Sequence, residues 1–575
     1  MDLADIRAWD VSGLTTLQTA LSSRGDTLTD IQTKLQSIGR LSGWQGDSAE
    51  AARAKFTITA EDLSGEIATI SAVQELARQT VVAVEHLQSG LTTLEGTAAA
   101  NHVTLHDDGS VSYATVDMEP DEIEHLKRVA EQIETTARAL ITQAEDIDSD
   151  ATTILTKAAA GEINAGHART PADIKKVGRE QGSLTTDPPA ADLTPLQAGE
   201  YWDALSPEQK GFVLSRHPAW VGNVDGIPAA VRDEANRAMI PIERARLEAE
   251  QKRLEDTIDD RLFGATFTNE DAELWYVEQK LKDLDAIENS LSQANPNTGQ
   301  PRDLKLMLLD MTSGERGHAA VAVGDPDTAD HVSVTTPGLG TTVNGSLDGM
   351  IREASNLKTE AENQLDFTNR SATVSTIAWI GYDTPNFTGP GNFDTARGGL
   401  DVADDSRADA AAGDLANFYR GVDAASTTLD PHITALGHSY GSVVTSHALQ
   451  SSQSAGVDEA VFYGSPGLGD AGTVATINAG TLGLDRGDAY VIENDGDTIA
   501  DFGTFGGDPT RTGDLVQLTA DTGVDRTGIQ REGGHGHADY PRSSTGPDGA
   551  EQLKMPGYNL AAILADSGLE IGEPK

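Results

Sequence analysis

The amino-acid sequence predicts a multidomain protein in which an all-α helical bundle precedes a larger α/β domain with a mostly parallel sheet. The chain has 575 residues, too many for one hydrophobic core. Apolar residues recur at helical spacing in its first part. From residue 301 onward, apolar runs of strand length alternate with helical segments, which is typical of a parallel sheet covered on both faces.

We predict four parts in chain order. Residues 1–160 form a helical hairpin or bundle with a small β-hairpin, and residues 161–196 form a linker rich in Gly, Pro, Thr and Asp. Residues 197–300 form a helical segment that packs on or caps the last part, and residues 301–575 form the α/β domain.

The composition excludes several classes of function. The formal net charge is −49 at pH 7, from 91 acidic and 42 basic residues. Such a surface repels nucleic acids and anionic membranes, so we expect no DNA or RNA partner. The chain contains no cysteine, which excludes disulfides, thiol catalysis and thiolate metal sites. We find neither a conventional signal peptide nor an apolar run long enough for a transmembrane segment.

The first hundred residues predict two long helices joined by a turn. In the first helix, apolar residues fall on one a/d seam, which Arg24 alone interrupts. The seam residues are Leu14, Leu17, Leu21, Leu28, Ile31, Leu35 and Ile38. The seam stops before Trp44-Gln45-Gly46, and Asp47 or Ser48 is a suitable N-cap for the second helix. A β-hairpin over 102–114 and a further helix over 119–159 complete the predicted bundle.

This helical hairpin resembles the Trp-x-Gly family of small proteins that type VII secretion systems of Gram-positive bacteria export. The family's export signal is Tyr-x-x-x-Asp/Glu after the second helix, and Tyr113 and Asp117 match its letters. The resemblance implies a secreted or cell-envelope protein that leaves the cell by a non-classical route. It also implies a helical partner protein or the secretion machinery as a binding partner. A plain helical bundle in a cytoplasmic protein is the alternative.

The helices and strands after residue 200 follow from the periodicity. Ser206 before Pro207 is a good helix start, and two charged helices are predicted over 242–262 and 269–293. Eight apolar runs then predict strands at 304–309, 319–323, 331–335, 374–380, 433–436, 460–463, 489–492 and 515–518. Helices are predicted between them at about 348–365, 404–427 and 441–453.

The pentapeptide Gly437-His438-Ser439-Tyr440-Gly441 carries the most specific functional signal. The run before it fits a buried strand, and the run after it fits a helix. Gly-x-Ser-x-Gly in this setting is the nucleophile elbow of serine hydrolases with the α/β-hydrolase fold. Its glycines are needed because the turn is sharp and strained. We predict Ser439 as the nucleophile; a plain turn whose serine caps the helix is the alternative.

Chain order restricts the general base. In α/β-hydrolases the triad runs Ser, then Asp or Glu, then His, and three histidines follow Ser439. His447 lies two turns into the helix that leaves the elbow, so it points away from the serine. The base is therefore expected in the loop 533–540, as His535 or His537.

The acid is expected at the carboxyl end of the predicted strand 489–492. The stretch that follows, 493–501, supplies four carboxylates. We favour Asp497, because the strand needs a few residues to turn back over the sheet edge, and keep Asp495 as the alternative. This acid would hold the histidine tautomer and stabilise the imidazolium without taking the proton.

An oxyanion hole should combine two backbone amides. One is that of Tyr440, directly after the nucleophile, and the other comes from the loop after the third strand of the sheet. That loop begins with Pro337, and we predict Gly338 and Leu339 as the donors. Its glycines permit close approach of the backbone to a tetrahedral intermediate.

Four segments of the α/β domain, and four before it, resemble an actinobacterial α/β-hydrolase family that was defined as a domain of unknown function. They are Ala322 to Ala329, Val334 to Gly338, Trp379 to Tyr382 and Gly437 to Gly441, preceded by Leu205 to Pro207, His217 to Pro218, Gly226 to Pro228 and Ala235 to Arg237. The resemblance covers about 200–560. The family's acid and base motifs fall on Asp497 and His537, although Thr498 and Ala538 depart from the pattern.

These observations predict a serine hydrolase that cleaves a small-molecule or lipid-like carboxylic ester through a Ser-His-Asp triad and an acyl-enzyme. We expect no cofactor and no metal. The alternative is a type VII secreted interaction or effector protein in which the hydrolase fold is secondary or inactive. A metal-dependent hydrolase, with His535 and His537 as ligands, is a third and weaker interpretation.

Overall fold

The computed structural model describes residues 1–39, 43, 45–116, 118–259, 268–294, 299, 301–386, 405–428, 430–452, 455–470, 477–500, 503–511, 515–546 and 549–572. The chain divides into two compact units. The first comprises residues 1–193 and 200–216, and the second comprises residues 194–199 and 217–575.

The first unit is helical. Its described elements are α1 (Leu3–Ala8), α2 (Ser12–Gly39), α3 (Asp47–Ala100), β1 (Thr104–Leu105), β2 (Val111–Ser112), α4 (Pro120–Ala160), α5 (Pro171–Gly182) and α7 (Pro207–Arg216). Helix α6 (Pro195–Ala204) has residues in both units. β1 and β2 pair antiparallel, where the sequence predicts a β-hairpin. The core joins α3 to α4 through buried side chains that include Leu87, Leu91 and Ile133.

Helices α2 and α3 run antiparallel. The Gln32 side chain donates hydrogen bonds to the Ala60 carbonyl (3.0 Å) and to Ser64 Oγ (2.7 Å). Earlier in α2, Gly25 faces Ile70, which lies later in α3. These contacts form the helical hairpin that the sequence predicts. Trp44 of the predicted turn and Asp117 of the predicted export signal lie outside the described residues.

Half of the a/d seam predicted for α2 lies on the face that this helix buries: Leu14, Leu21, Leu28 and Leu35 are half-buried, and Leu28 packs against the core. Leu17, Ile31 and Ile38 are 39%, 41% and 40% exposed. The α2 positions that are buried are Gly25 and Gln32. A small residue and a hydrogen-bonded amide thus take the place of the second apolar row of the predicted seam, one residue along from Arg24 and Ile31.

A helix occupies the middle of the stretch that the sequence predicts as a linker. Helix α5 packs so closely on α3 that a Cβ at Gly178 would lie 2.3 Å from the Ala68 carbonyl oxygen. A Cβ at Gly182 would lie 2.0 Å from that of Ala72. Glycine lowers helix propensity by about 1 kcal/mol, which masks this helix in the sequence. The same glycines allow the close contact that stabilises it.

The second unit is built on one mixed sheet. In the described residues its strands are β3 (Leu304–Asp310), β4 (His318–Val323), β5 (His331–Thr336), β6 (Val374–Ile380), β7 (His432–His438), β8 (Glu459–Tyr463), β9 (Ala489–Ile492) and β10 (Val516–Leu518). The strand order is β10-β9-β8-β7-β5-β6-β4-β3. Strand β4 is antiparallel to both neighbours, and the other pairs are parallel. The predicted fold class is confirmed.

Helices cover both faces of this sheet. They are α8 (Ala229–Asp259), α9 (Asn269–Ser292), α10 (Val343–Phe367), α11 (Ser406–Ala425), α12 (Tyr440–Ser452) and α13 (Met555–Leu564). Helices α11 and α12 pack on one face around Ala435 and Phe462. Helices α10 and α13 pack on the other, around Leu436 and Val461. Two short hairpins, β11 (Gly523–Val524) with β12 (Gln530–Arg531) and β13 (Ser543–Thr545) with β14 (Glu551–Leu553), precede α13.

Helix α8 begins earlier than its charge pattern predicts, and Pro241 lies inside it. Its first half is anchored on β3, because the Asn236 side chain donates to the carbonyls of Gly222 (2.7 Å) and Leu306 (3.0 Å). These tertiary contacts outweigh the cost of an internal proline. Among the described residues, we find no helix with the length and apolar character needed to cross a membrane.

Candidate active site

Ser439 occupies the sharp turn between β7 and α12. Its backbone φ is +54°, in the left-handed region that costs a non-glycine residue conformational energy. The Ser439 amide donates to the Tyr463 carbonyl on β8 (3.0 Å). The Ser439 carbonyl accepts a hydrogen bond from Ser442 Oγ (2.6 Å). Bonds from the neighbouring strand and from the helix therefore hold the strained turn in place.

Both glycines of the pentapeptide are required by lack of space. A Cβ at Gly437 would lie 2.7 Å from Ser442 Cα, and a Cβ at Gly441 would lie 2.2 Å from the Thr336 carbonyl oxygen. Real Cβ atoms do not approach backbone this closely. The motif thus sets the sharpness of the turn, as the sequence indicates.

The loop predicted to carry the acid, after β9, and the loop predicted to carry the base, before β13, run side by side. Asp495 and His535 form a parallel backbone bridge, in which the Gly536 amide donates to the Asp495 carbonyl (2.9 Å). This register places Asp497 opposite His537, two residues further along each loop. The backbone bridge between Asp495 and His535 therefore brings together the side chains two residues further along, those of Asp497 and His537.

Ser439, His537 and Asp497 form a continuous hydrogen-bonded chain. His537 Nε2 lies 2.7 Å from Ser439 Oγ. On the other side of the ring, His537 Nδ1 lies 2.9 Å from Asp497 Oδ1 and 3.0 Å from Oδ2. Ser439 and Asp497 are buried, whereas the His537 side chain is 30% exposed. With Nδ1 donating to the carboxylate, Nε2 can accept the serine proton.

The Asp497 carboxylate is kept ionised despite its burial. Burial alone would raise its pKa, but hydrogen bonds from His537 and Tyr540 outweigh this effect and lower the pKa of Asp497. The amides of Ile499 and Ala500 add bonds to Oδ1 (3.0 and 3.3 Å). A charged carboxylate is the form that can stabilise an imidazolium.

The sequence interpretation assigned no function to His438, which lies against the candidate base. His438 Nε2 lies 3.1 Å from the His537 carbonyl oxygen, and the two rings stack at 5.1 Å. Burial and the nearby His537 lower the pKa of the half-buried His438 to about 4. A neutral His438 can donate to that carbonyl and adds no positive charge beside the base. In the sequence, its place directly before Ser439 in the pentapeptide is the feature that could indicate a role in the site.

This lowered pKa gives a prediction for stability against pH. Unfolding returns the His438 pKa to about 6.5, so the unfolded state binds more protons as the pH falls from about 6.5 to about 4. The contribution of neutral His438 to the free energy of unfolding is fully present above this window and is lost below it. The loss is at most about 3 kcal/mol. Between pH 7 and pH 4 we therefore expect the unfolding temperature to fall less in His438→Asn than in wild type.

Thermal unfolding followed by circular dichroism checks this prediction. His535→Asn is the matched control, because the His535 side chain is 72% exposed on the same loop as His537. The control should retain the pH dependence of wild type. Equal pH dependence in wild type and His438→Asn would contradict the prediction.

The structure does not bring the alternative residues to the serine. His535 Nδ1 lies 3.7 Å from Asp495 Oδ2, with both side chains mostly exposed. His447 Nδ1 instead contacts Asp409 Oδ1 on α11 (2.8 Å). Within the described ranges, no group of three or more His, Asp or Glu side chains is arranged to hold a metal ion.

The predicted oxyanion loop, 337–342, follows β5 and lies against the elbow. The Tyr382 hydroxyl donates to the Pro337 carbonyl (2.6 Å), and Thr384 Oγ1 donates to the Thr341 carbonyl (2.6 Å). The loop is thereby held at its start and near its end by the segment after β6. Gly338 is in direct contact with the serine, since a Cβ there would lie 2.5 Å from Ser439 Cβ.

A cavity of about 340 Å³ lies over Ser439. It is lined by Gly338, Leu339, Thr341, His438, Ser439, Tyr440, Pro466, Ile499, Thr504, Phe505, His537 and Ala538. Among the described residues, no Asp, Glu, Lys or Arg lines it, and neither α8 nor α9 contributes to it. The capping role predicted for 197–300 stays a prediction.

A serine turn after β7, at the carboxyl edge of a mostly parallel eight-stranded sheet, is the architecture of the α/β-hydrolases. The chain belongs to this family. The model of the family described as "Alpha/beta hydrolase" matches residues 313–506. An uncharacterized protein from Mycobacterium tuberculosis is 39% identical over 260 residues, which are 44% of this chain and 88% of that protein.

A second uncharacterized protein from Mycobacterium tuberculosis is 28% identical over 320 residues, 55% of this chain and 45% of that protein. A solved poly(3-hydroxybutyrate) depolymerase from Bordetella parapertussis is 12% identical, with 50% of this chain and 94% of that chain covered and a TM-score of 0.26. A solved esterase from the archaeon Pyrobaculum calidifontis is 11% identical, with 57% and 96% covered and a TM-score of 0.26. The Trp-x-Gly resemblance of the first hundred residues stays a prediction.

Proposed function

We propose that this protein is a serine hydrolase that cleaves carboxylic esters, with Ser439 as nucleophile, His537 as general base and Asp497 as the acid that orients it. The observation that carries the proposal is the bond of 2.7 Å between Ser439 Oγ and His537 Nε2, continued to Asp497. Membership of the α/β-hydrolase family supports it.

Acylation follows from this arrangement. Ser439 Oγ attacks the ester carbonyl carbon while His537 Nε2 takes the hydroxyl proton. The tetrahedral intermediate then collapses, the bond to the alcohol breaks, and the imidazolium gives its proton to the leaving oxygen. In deacylation, His537 takes a proton from water as the water oxygen attacks the acyl carbon, and Ser439 leaves with that proton. Asp497 keeps its charge throughout.

The oxyanion would be stabilised by backbone amides. Tyr440 follows the nucleophile directly, and Gly338 and Leu339 lie on the loop in contact with Ser439. The Gly340 amide already donates to the Pro385 carbonyl (2.9 Å), and the Thr341 amide donates to the Gly338 carbonyl (3.4 Å). Gly338 and Leu339 are therefore the better candidates in this loop.

The cavity favours a small, neutral ester. Its volume of about 340 Å³ is near the lower end for small-molecule sites. Leu339 and Ile499 lie at its wall and are each 36% exposed. Ionised groups of a substrate would meet no opposite charge among the described lining residues. Short-chain uncharged esters should therefore be better substrates than esters with a charged acyl group.

Covalent labelling tests the proposed function. A fluorophosphonate probe reacts with an activated serine, and mass spectrometry of the digested protein locates the adduct. We expect a single adduct on Ser439, together with hydrolysis of p-nitrophenyl esters of short neutral acids. A folded wild-type protein without label or hydrolysis would favour the alternative, an interaction protein with an inactive hydrolase fold.

Gly338 provides a separate prediction for the oxyanion loop. In Gly338→Ala the new Cβ would lie 2.9 Å from Ser439 Oγ, so the loop or the serine must move. Because misplacement of about 1 Å can cost about 100-fold in rate, we expect kcat/KM to fall by roughly 10- to 100-fold.

Gly349→Ala in α10 is the matched control, since a Cβ there meets nothing within 4 Å. This control should keep wild-type activity and gain up to about 1 kcal/mol of stability from helix propensity. The prediction for Gly338 fails if both variants retain wild-type kcat/KM.

A further inference from the structure

Tyr540 contacts the proposed acid but takes no part in the steps above. Its side chain is fully buried, and its hydroxyl donates to Asp497 Oδ2 at 2.5 Å. The same hydroxyl accepts a hydrogen bond from the Asn494 amide (3.0 Å). A phenol has one proton, and the amide occupies its acceptor side. The proton of Tyr540 is therefore directed at the carboxylate.

The Asp497 carboxylate is held at both oxygens. Oδ1 accepts the amides of Ile499 and Ala500, and Oδ2 accepts Tyr540. Rotation of the carboxylate about its Cβ–Cγ bond would break bonds on both sides. Its plane is thus fixed in the orientation that presents both oxygens to His537 Nδ1.

We propose that Tyr540 is a positioning residue, which orients Asp497 and, through it, the His537 imidazole for proton transfer from Ser439. This inference rests on the proposed function. Tyr540 is not among the residues that line the cavity over Ser439, so its hydroxyl acts through its bond to Asp497 and not by contact with a substrate.

The location of Tyr540 supports this role. It follows His537 by three residues in the same loop, so one loop supplies both the base and a donor to the acid. Its ring packs against His438 (5.8 Å between centroids) and Tyr463 (5.5 Å). Burial and the bond to Asp497 raise the pKa of Tyr540, so the hydroxyl keeps its proton.

The first test is Tyr540→Phe, which removes the hydroxyl and keeps the ring. Loss of a hydrogen bond to a charged group predicts a fall in kcat of roughly 10- to 100-fold. KM for a p-nitrophenyl ester should change little, because Tyr540 does not touch the cavity. The far-downfield proton resonance of His537 Nδ1 should also move, and an unchanged kcat would overturn the inference.

Tyr490→Phe is a matched control. Tyr490 is a buried tyrosine on β9, the strand that precedes the Asp497 loop. Its hydroxyl donates to a carboxylate oxygen, Glu459 Oε1, at 3.0 Å. Loss of this bond should lower stability, as in Tyr540→Phe, but leave kcat per active site unchanged. An equal fall in kcat in both variants would mean that Tyr540 acts only through stability.

A double-mutant cycle separates action through Asp497 from other effects. In the Asp497→Asn background, Tyr540→Phe should cause almost no further fall in kcat, because the residue that it orients has lost its function. A further fall as large as that in wild type would overturn the inference.

A second variant covers the case in which Tyr540→Phe does not fold. Site-specific incorporation of difluorotyrosine at position 540 keeps the ring and hydroxyl but makes the hydroxyl a stronger donor to Asp497. The His537 Nδ1 resonance should then move, and an unmoved resonance would overturn the inference.

Failure of this inference can be distinguished from failure of the proposed function. If wild type is neither labelled by a fluorophosphonate nor active on esters, the proposed function fails. If wild type is active and the Tyr540 variants match it, only this inference fails.

Discussion

Replacing Ser439 by alanine is expected to lower kcat for ester hydrolysis on the order of 10⁵- to 10⁶-fold, the loss typical of a removed nucleophile. The proposed acyl-enzyme forms on Ser439 Oγ, and alanine offers no atom for this bond. His537 and Asp497 would keep their contact, so the fold should remain intact. Steady-state hydrolysis of a short neutral ester and the intact mass after fluorophosphonate treatment measure the effect.

A second serine on the elbow helix is the control for this variant. Ser451 lies at the exposed end of α12, where its hydroxyl donates to the Ala448 carbonyl (3.0 Å). Ser451→Ala should keep both labelling and hydrolysis. Residual labelling of Ser439→Ala at the wild-type level would show that another residue reacts, and the proposed mechanism would then be wrong.

The sequence predicts the parts of this site that depend on chain order. A strand, a glycine-flanked serine and a helix are local features, so the pentapeptide and the runs on either side of it predict the elbow. The carboxyl ends of parallel strands meet at one edge of a sheet, which limits the acid and the base to the loops after β9 and β10. The choice of Asp497 and His537 over Asp495 and His535 then depended on family resemblance and loop length.

The contacts around the triad residues could not be predicted in this way. Tyr540 meets Asp497 because the two loops pair in parallel, and this register is set by the bridge between Asp495 and His535. No local pattern encodes a pairing between loops that are forty residues apart. The signal in the sequence was only that Tyr540 follows His537 by three residues.

The helical regions show a different reason for missed features. Glycines at 178 and 182 lower helix propensity in α5, although they permit its close packing on α3. Pro241 suggests a helix boundary in α8, although Asn236 anchors the helix to the carbonyls of Gly222 and of Leu306 on β3. In both cases a tertiary contact outweighs a local preference that dominates the sequence signal.

Replacing Asp497 by asparagine should lower kcat by about 10⁴-fold near neutral pH, while KM changes much less. The asparagine amide can present its NH₂ group to His537 Nδ1, which favours the tautomer with the proton on Nε2. Nε2 then cannot accept the Ser439 proton. The neutral side chain also no longer stabilises the imidazolium. Stopped-flow or steady-state kinetics on a short neutral ester measure the loss.

Asp495→Asn distinguishes this electrostatic role from a general effect of acidic charge in the loop. Asp495 is 80% exposed at its side chain, and its link to His535 passes mainly through the backbone bridge. Its charge lies in water and is screened, so it contributes little to the histidine that bonds Ser439. A fall in kcat of less than about threefold is expected for Asp495→Asn. Comparable losses in the two variants would contradict the assignment of Asp497. They would show that the negative charge of the loop matters, and not one carboxylate that is oriented toward His537.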